Sequence, residues 1–189
     1  MKRADVIIIG GGVIGSASAY YLAKRGKRVI QLERDYFSAG ASGSCDQMVI
    51  PQSKAPNEHL TLALYSVELY KGLSRELGVD IEYHQKGAMI LIETREELRI
   101  MEGITQKQRE LGLPVELLSP AEAKGRQPGV NDSIITGSTY CPVDGEVNPF
   151  KMNLAYTDAA ARLGAEIRPY TPVTGLIREG DRVAGVEVP

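Results

Sequence analysis

Residues 5–34 read DVIIIGGGVIGSASAYYLAKRGKRVIQLER, and this stretch decides the fold. Val6 to Ile9 are four consecutive apolar, mostly β-branched residues, which suits a strand buried on both faces of a parallel sheet. Gly10, Gly12 and Gly15 follow as G-x-G-x-x-G straight off that strand. Gly10 permits the tight turn, Gly12 lets backbone approach a pyrophosphate, and Gly15 lets the next helix pack closely on the sheet. The pattern predicts that helix over about Val13 to Arg25, ended by Gly26, with Ala19 and Ala23 extending its close-packing face. Its free N–H groups favour a negatively charged phosphate. Val29 to Leu32 predicts a second strand, and Glu33 stands at its end, 18 residues after Gly15. A carboxylate there accepts hydrogen bonds from both hydroxyls of an adenosine ribose and repels a 2′-phosphate. The stretch therefore predicts an adenine dinucleotide site, of a kind unsuited to NADP; the plainer reading is a glycine-rich turn in an ordinary βαβ unit.

The rest of the composition narrows the class. Twenty-two basic residues against 24 acidic, with 43% apolar content, describe an ordinary globular chain with no charge excess to attract nucleic acid or an anionic membrane. No apolar run is long enough to span a bilayer. Met1-Lys2-Arg3 before an apolar run mimics a signal sequence, but the run breaks at the glycines after four residues, so that reading is set aside. Cys45 and Cys141 form neither C-x-x-C nor a metal spacing. A reducing, cytoplasmic setting is expected, with both cysteines as small buried residues and His59 and His84 as structural or surface groups. No metal site and no Ser–His–Asp constellation is expected.

Beyond Glu33 a simple dinucleotide domain would continue strand, helix, strand, and this chain does not. Asp35 to Pro56 is a long connection rich in small and polar residues, a length that is usually functional. An amphipathic helix follows over Asn57 to Leu77, with Leu60, Ala63, Leu64, Val67, Tyr70 and Leu77 broadly on one face. Gly87 to Glu93 reads as a strand. Thr94 to Glu97 and Ser119 to Glu122 are capping boxes, the first opening a helix to about Leu111. Ser133 to Tyr140 reads as a strand, and Asn148-Pro149 opens a helix that stops at Gly164. Strand-like AEIRP and a hairpin turning at Gly180-Asp181 close the chain. The dinucleotide unit is thus interrupted and then resumed.

In order along the whole chain, DVIIIGGGVIGSASAYYLAKRG, LER, GASG, KGAMILIETREE, CPVDGEVNP, AARLGAEI and TPVTGLIREGDRVAGVEV resemble the FAD-dependent amine oxidoreductases of the D-amino-acid oxidase, glycine oxidase and sarcosine oxidase type. The resemblance implies an α/β fold: a Rossmann-like FAD-binding dinucleotide domain, residues 1–56 and 145–189, interrupted by part of an α+β substrate domain, residues 57–144. It implies that Gly10, Gly12, Val13, Ile14 and Gly15 cradle the pyrophosphate of FAD, with Glu33 and Arg34 at the ribose and adenine. Ser42 and Gly43 would contact phosphate, Ser42 having a helix cap as its plainer role. The backbone of Gln47, Met48 and Val49 would run beside the flavin, with the Met48 side chain near its reacting face, and Val173 would meet the adenine through its main chain.

Relatives often read S-x-x-N-x-G where this chain has Ser42-Gly-Ser-Cys-Asp-Gln47, which leaves the local backbone open. The residues that tether flavin covalently in some members have no match here, so non-covalent binding is expected. The family's chains continue well past Pro189, with further strands, a second glycine-rich segment and the arginine that grips the substrate carboxylate. The chain is therefore expected to be the N-terminal half of a longer oxidoreductase, incomplete at its C-terminus and inactive alone, whether as a truncation or as a split subunit. The whole protein would oxidise the C–N bond of a small amino acid (glycine, sarcosine or proline-like), with oxygen or a partner protein as electron acceptor. No catalytic residue is assigned in this half, and oligomerisation is left open. The alternatives are an FAD-dependent hydroxy-acid dehydrogenase, an NAD-binding Rossmann dehydrogenase, or a dinucleotide-binding module without catalysis.

Overall fold

The computed structural model describes residues 3–189; Met1 and Lys2, part of the basic start set aside above, lie outside them. Along the chain come β1 (Val6–Ile9), α1 (Val13–Lys24), β2 (Val29–Leu32), β3 (Met48–Val49) and a single 3₁₀ turn at Pro51–Ser53. Next are α2 (Glu58–Leu77), β4 (Ala88–Ile92), α3 (Arg95–Glu110), β5 (Glu116–Leu118) and α4 (Pro120–Arg126). The last are β6 (Gly137–Cys141), β7 (Gly145–Glu146), α5 (Pro149–Arg162), β8 (Glu166–Arg168), β9 (Gly175–Glu179) and β10 (Arg182–Glu187). They form two compact units. One holds the residues up to Gln47, Ser74–Glu82 and Asn148–Pro189, and the other holds Met48–Leu73 and Tyr83–Val147.

In the first unit β1, β2 and β8 make a parallel sheet with β2 in the middle, Val6 opposite Val29 and Ile30 opposite Glu166. All four residues of β2 are buried. β1 is only half-buried and Ile9 is exposed, which corrects the expectation of a strand covered on both faces: β1 lies at the edge of this sheet. α1 and α5 pack along each other through small residues, among them Ala19, Ala23, Ala155, Ala159 and Ala160, with Tyr20, Tyr21 and Tyr156 clustered at 5.0–6.1 Å between ring centres. α1 ends in a Schellman motif, Gly26 N–H on Ala23 O and Lys27 N–H on Leu22 O. Asn148 caps α5 by accepting the Lys151 N–H at 3.1 Å, with Pro149 at the first helical position.

Ser74–Glu82 belongs to this unit and not to an inserted domain beginning at residue 57. The Glu76 carboxylate accepts from Tyr20 Oη and Lys24 Nζ, and Arg162 donates to Leu77 O. The division of the chain falls after Gln47 and after Val147, where the sequence suggested residues 56 and 144. β9 and β10 form the antiparallel hairpin about Gly180-Asp181, with an irregularity between Val183 and Gly185.

In the second unit β6 lies between β4 and β5 in an antiparallel sheet, and β3 pairs with β7. Both capping boxes form. Thr94 Oγ1 accepts the Glu97 N–H and the Glu97 carboxylate accepts the Thr94 N–H; Ser119 and Glu122 repeat the pattern. The strand expected over Ser133 to Tyr140 begins only at Gly137, because Asn131 turns the chain first by accepting from both Ser133 N–H and its hydroxyl. A buried apolar cluster of Leu60, Leu113, Val115 and Cys141 is joined by a buried polar one. There the fully buried Asp144 carboxylate accepts from Gln52 Nε2 at 2.6 Å, Gln52 Oε1 accepts from Thr139 Oγ1 at 2.6 Å, and Gln108 Nε2 donates to Gln52 O at 2.9 Å. The 3₁₀ turn after β3 is thereby tied to β6 and α3.

Cys45 is exposed, against expectation, and Cys141 is buried; both thiols are free. Cys45 sits in the open loop after Ser42, its Sγ donating to Ser42 O at 3.4 Å. His59 and His84 are exposed, as expected. Among the described residues no helix is long and apolar enough to cross a membrane, and no His/Cys/Asp/Glu cluster could hold a metal.

Candidate functional site: a dinucleotide cradle

The cradle is built where β1 gives way to α1. Gly10 has φ +116°, a conformation that side chains disfavour, and so the chain turns sharply off the strand. At Gly15 a Cβ would stand 2.2 Å from Gly10 O, so only glycine lets α1 start this close beneath the loop. Gly12 is the N-cap of α1 and offers no capping side chain, and no acid lies in the first turn. Among the described residues the Gly12 N–H has no acceptor, so the positive end of the helix is left open to an anion.

Ser42 comes up against this end. Its Oγ accepts the Val13 N–H at 3.0 Å, and a Cβ on Gly12 would touch that same oxygen at 3.0 Å. Ser42 therefore caps α1 from a distant loop, and its own proton remains available to a further acceptor. Gly43 permits the approach: a Cβ there would lie 2.3 Å from Ser38 O and 3.0 Å from the Phe150 ring. Glu33 closes the other side. One carboxylate oxygen accepts the Gly11 N–H at 2.6 Å and the other the Asp35 N–H at 2.8 Å, which leaves a lone pair on each for a ligand hydroxyl.

Two adjoining cavities of about 330 and 300 Å³ share Gly10, Glu33 and Arg34. The first extends to Thr171, Pro172 and Val173, and the second along Gly11, Gly12 and Ala39 to Ser42. The structure thus brings together Gly10, Gly12, Glu33, Arg34, Ser42 and Val173 along one trough, with Val13 and Gly15 behind it and Ile14 exposed in the first turn of α1. Gln47 lies exposed at the end of the same unit. Met48 and Val49 belong to the second unit, where they line a separate cavity of about 210 Å³ with Ile50, Pro51 and Tyr70. Sequence reasoning missed Gly11, Asp35, Gly40, Thr171 and Pro172 as lining residues; the small-residue run after Glu33 was the available signal for the loop part of them. The trough suits a dinucleotide: a Gly12 N–H left without an acceptor among the described residues beside the Ser42 hydroxyl for its phosphates, a carboxylate at one rim, and glycines along the loop.

Gln47 occupies the left-handed region at φ +67°. Such strain costs roughly 1–2 kcal/mol, which glycine's greater freedom in the unfolded chain partly offsets. Gln47→Gly is expected to raise stability by about 0.5–1 kcal/mol in urea unfolding. An unchanged midpoint would show that the glutamine side chain stabilises its own turn.

Comparison with known proteins agrees with this geometry. A family model described as FAD dependent oxidoreductase matches residues 5–189. The chain is 36% identical over 177 residues to glycine oxidase of Geobacillus kaustophilus, covering 90% of this chain and 47% of that protein. It is 30% identical over 186 residues to the mitochondrial pyruvate dehydrogenase phosphatase regulatory subunit of Mus musculus, covering 98% of this chain and 21% of that protein. The crystal structure of L-proline dehydrogenase from P. horikoshii matches with a TM-score of 0.91 at 30% identity, over 99% of this chain and 49% of that one. The chain spans about half the length of two of these proteins and a smaller part of the third. The family match covers nearly every residue, so the expected cofactor stands, the NAD-dependent alternative falls, and the chain belongs to the family of FAD-dependent oxidoreductases.

Proposed function

We propose that this chain supplies the dinucleotide-binding part of an enzyme that oxidises the C–N bond of a small amino acid (glycine, sarcosine or proline-like), holding FAD without a covalent bond. The observation that carries the reading is the open N-terminus of α1, set between Glu33 and Ser42. The names of similar proteins, glycine oxidase and L-proline dehydrogenase, support the substrate class. In this reading Gly10, Gly12, Val13, Ile14 and Gly15, with Ser42 and Gly43, hold the pyrophosphate, and Glu33, Arg34 and Val173 hold the ribose and adenine. Gln47, Met48 and Val49 flank the flavin. Bound FAD supplies the acceptor for the hydride equivalent that leaves the substrate α-carbon. The chain's own residues bind and orient, and no acid or base among them is given a role. Oxygen or a partner protein takes the electrons in the whole enzyme, and the two unpaired thiols suit a reducing, cytoplasmic setting.

The test is a visible spectrum of the purified chain after FAD addition and desalting, then anaerobic addition of glycine, sarcosine and proline to the full-length protein. Retained flavin bands that acid releases, and bleaching by one of these amino acids, are expected. A full-length protein that binds FAD and is bleached by hydroxy acids alone would overturn the substrate class. The similarity to a regulatory subunit favours one second reading, a dinucleotide-binding module without catalysis. FAD retention with no bleaching by any amine or hydroxy acid would establish it.

A further inference from the structure

Beneath the glycine loop lies a buried polar cluster that cofactor contact alone does not explain. Gln31 is the polar residue of the otherwise apolar, fully buried β2, and Asn153 is a fully buried residue of α5. Gln31 Nε2 donates to Gly10 O at 3.0 Å and to Ser16 Oγ at 3.2 Å. Asn153 Nδ2 donates to Gly11 O at 2.8 Å and to Ser38 Oγ at 2.6 Å. Each carboxamide uses both its protons, while Gln31 Oε1 and Asn153 Oδ1 are buried with no partner among the described residues. Flipping either amide would set oxygen against a loop carbonyl, so the orientation is fixed by the loop. An amide kept only for packing would not leave its acceptor unmet when an apolar side chain of similar shape fills the same space.

Peptide planarity gives these bonds their consequence. In a trans peptide the C=O and the following N–H point in opposite directions. Drawing Gly10 O inward turns the Gly11 N–H outward, where it meets Glu33 Oε2. Drawing Gly11 O inward, where Ser38 N–H also reaches it, turns the Gly12 N–H outward, where it has no acceptor among the described residues.

We propose that Gln31 and Asn153 are positioning residues of the cradle: a pair of buried carboxamides that hold two successive loop carbonyls inward and so aim the Gly11 N–H at Glu33 and the Gly12 N–H at the pyrophosphate. The orientation of the loop stands on this chain alone, and its use by FAD rests on the functional reading above.

The test compares Gln31→Met, Asn153→Leu and Thr157→Val. Thr157 belongs to the same cluster, its hydroxyl donating to Asn153 O at 2.8 Å and lying 3.2 Å from Ser16 Oγ, but touches neither loop carbonyl. Two measurements are made on the chain. The first, without FAD, follows the amide NMR signals and hydrogen exchange of Gly11 and Gly12. Both glycines should shift and exchange faster in the Gln31 and Asn153 variants and stay in place in Thr157→Val. The second, a fluorescence titration with FAD, should show affinity falling on the order of tenfold for each of the first two variants, one hydrogen bond's worth, with little change in Thr157→Val. Folded variants whose Gly11 and Gly12 signals do not move would overturn the proposal, as would an equal loss of affinity in Thr157→Val. If Asn153→Leu fails to fold, Asn153→Ala removes the same donor with a smaller side chain. If the variants show the glycine response while the full-length wild-type protein binds no FAD, the functional reading is overturned and the loop assignment stands.

Discussion

Replacing Gly15 with alanine is expected to destabilise the chain by about 3 kcal/mol and to abolish FAD retention. The added Cβ would lie 2.2 Å from Gly10 O and 3.2 Å from Gln31 Nε2. Neither neighbour can give way cheaply. The carbonyl is backbone held by that same Gln31 amide, and Gly10 is already committed to φ +116°. Relief comes only by lifting the loop off α1, which moves the Gly11 and Gly12 N–H groups away from their outward positions. Gly72→Ala in α2 and Gly103→Ala in α3 are the matched controls, since a Cβ at either meets nothing within 4 Å. Both should be neutral or stabilising by up to about 1 kcal/mol, as alanine is in a helix. Urea unfolding separates the cases. A Gly15→Ala chain with wild-type stability and flavin retention would mean that the close approach of loop and helix is dispensable.

The second large effect is a pH dependence centred on Asp144. Burial pushes its carboxyl up to about 6, against the smaller opposing effect of the Gln52 amide. A carboxyl raised above its unfolded value binds a proton in the folded state that the unfolded chain has released. Its favourable contribution is therefore complete at low pH and is lost as pH rises from about 4 through about 6. Unfolding free energy should be lower at pH 7.5 than at pH 5 by about 1–3 kcal/mol from this group. Asp144→Asn should flatten the dependence, because an amide oxygen can still accept from Gln52 and carries no charge. Asp144→Ala leaves a void and a buried donor short of its partner, at a cost of about 3 kcal/mol. Asp5 does not confuse the reading: Arg28 holds its carboxyl down to about 2, so its contribution is lost only as pH falls below about 4. Equal stability of wild type and Asp144→Asn across pH 5–8 would show that the carboxylate stays ionised in place.

Features set by contiguous residues were legible in the sequence. The glycine loop, both capping boxes, Asn148-Pro149 and the Gly180-Asp181 turn each depend on local backbone geometry, and each appears where its residues stand. β3, β5 and β7 were missed because strands this short carry no period of their own and are defined by their partners; β8, as short as β5, was legible only through its setting in AEIRP after the Gly164 helix stop. The site divides in the same way. The loop glycines and Glu33 announce themselves by spacing, whereas Asn153 reaches Gly11 across 142 residues and Gln52 reaches Asp144 across 92. A polar residue in the run VIQL was the one visible sign of Gln31, and it says that a partner exists without saying which. The exposure of Cys45 was unreadable because loop burial depends on what lies over the loop.

The two cysteines end up with very different chemistry. Cys141 is enclosed, and burial beside Asp144 pushes its thiol up to about 12, so at neutral pH it is neither reachable nor nucleophilic. Cys45 is open to solvent, three residues beyond the serine that meets the helix start. Toward an alkylating dye the folded chain therefore offers Cys45 and not Cys141. A fluorophore attached without any engineering would report from the loop that carries Ser42 to the start of α1.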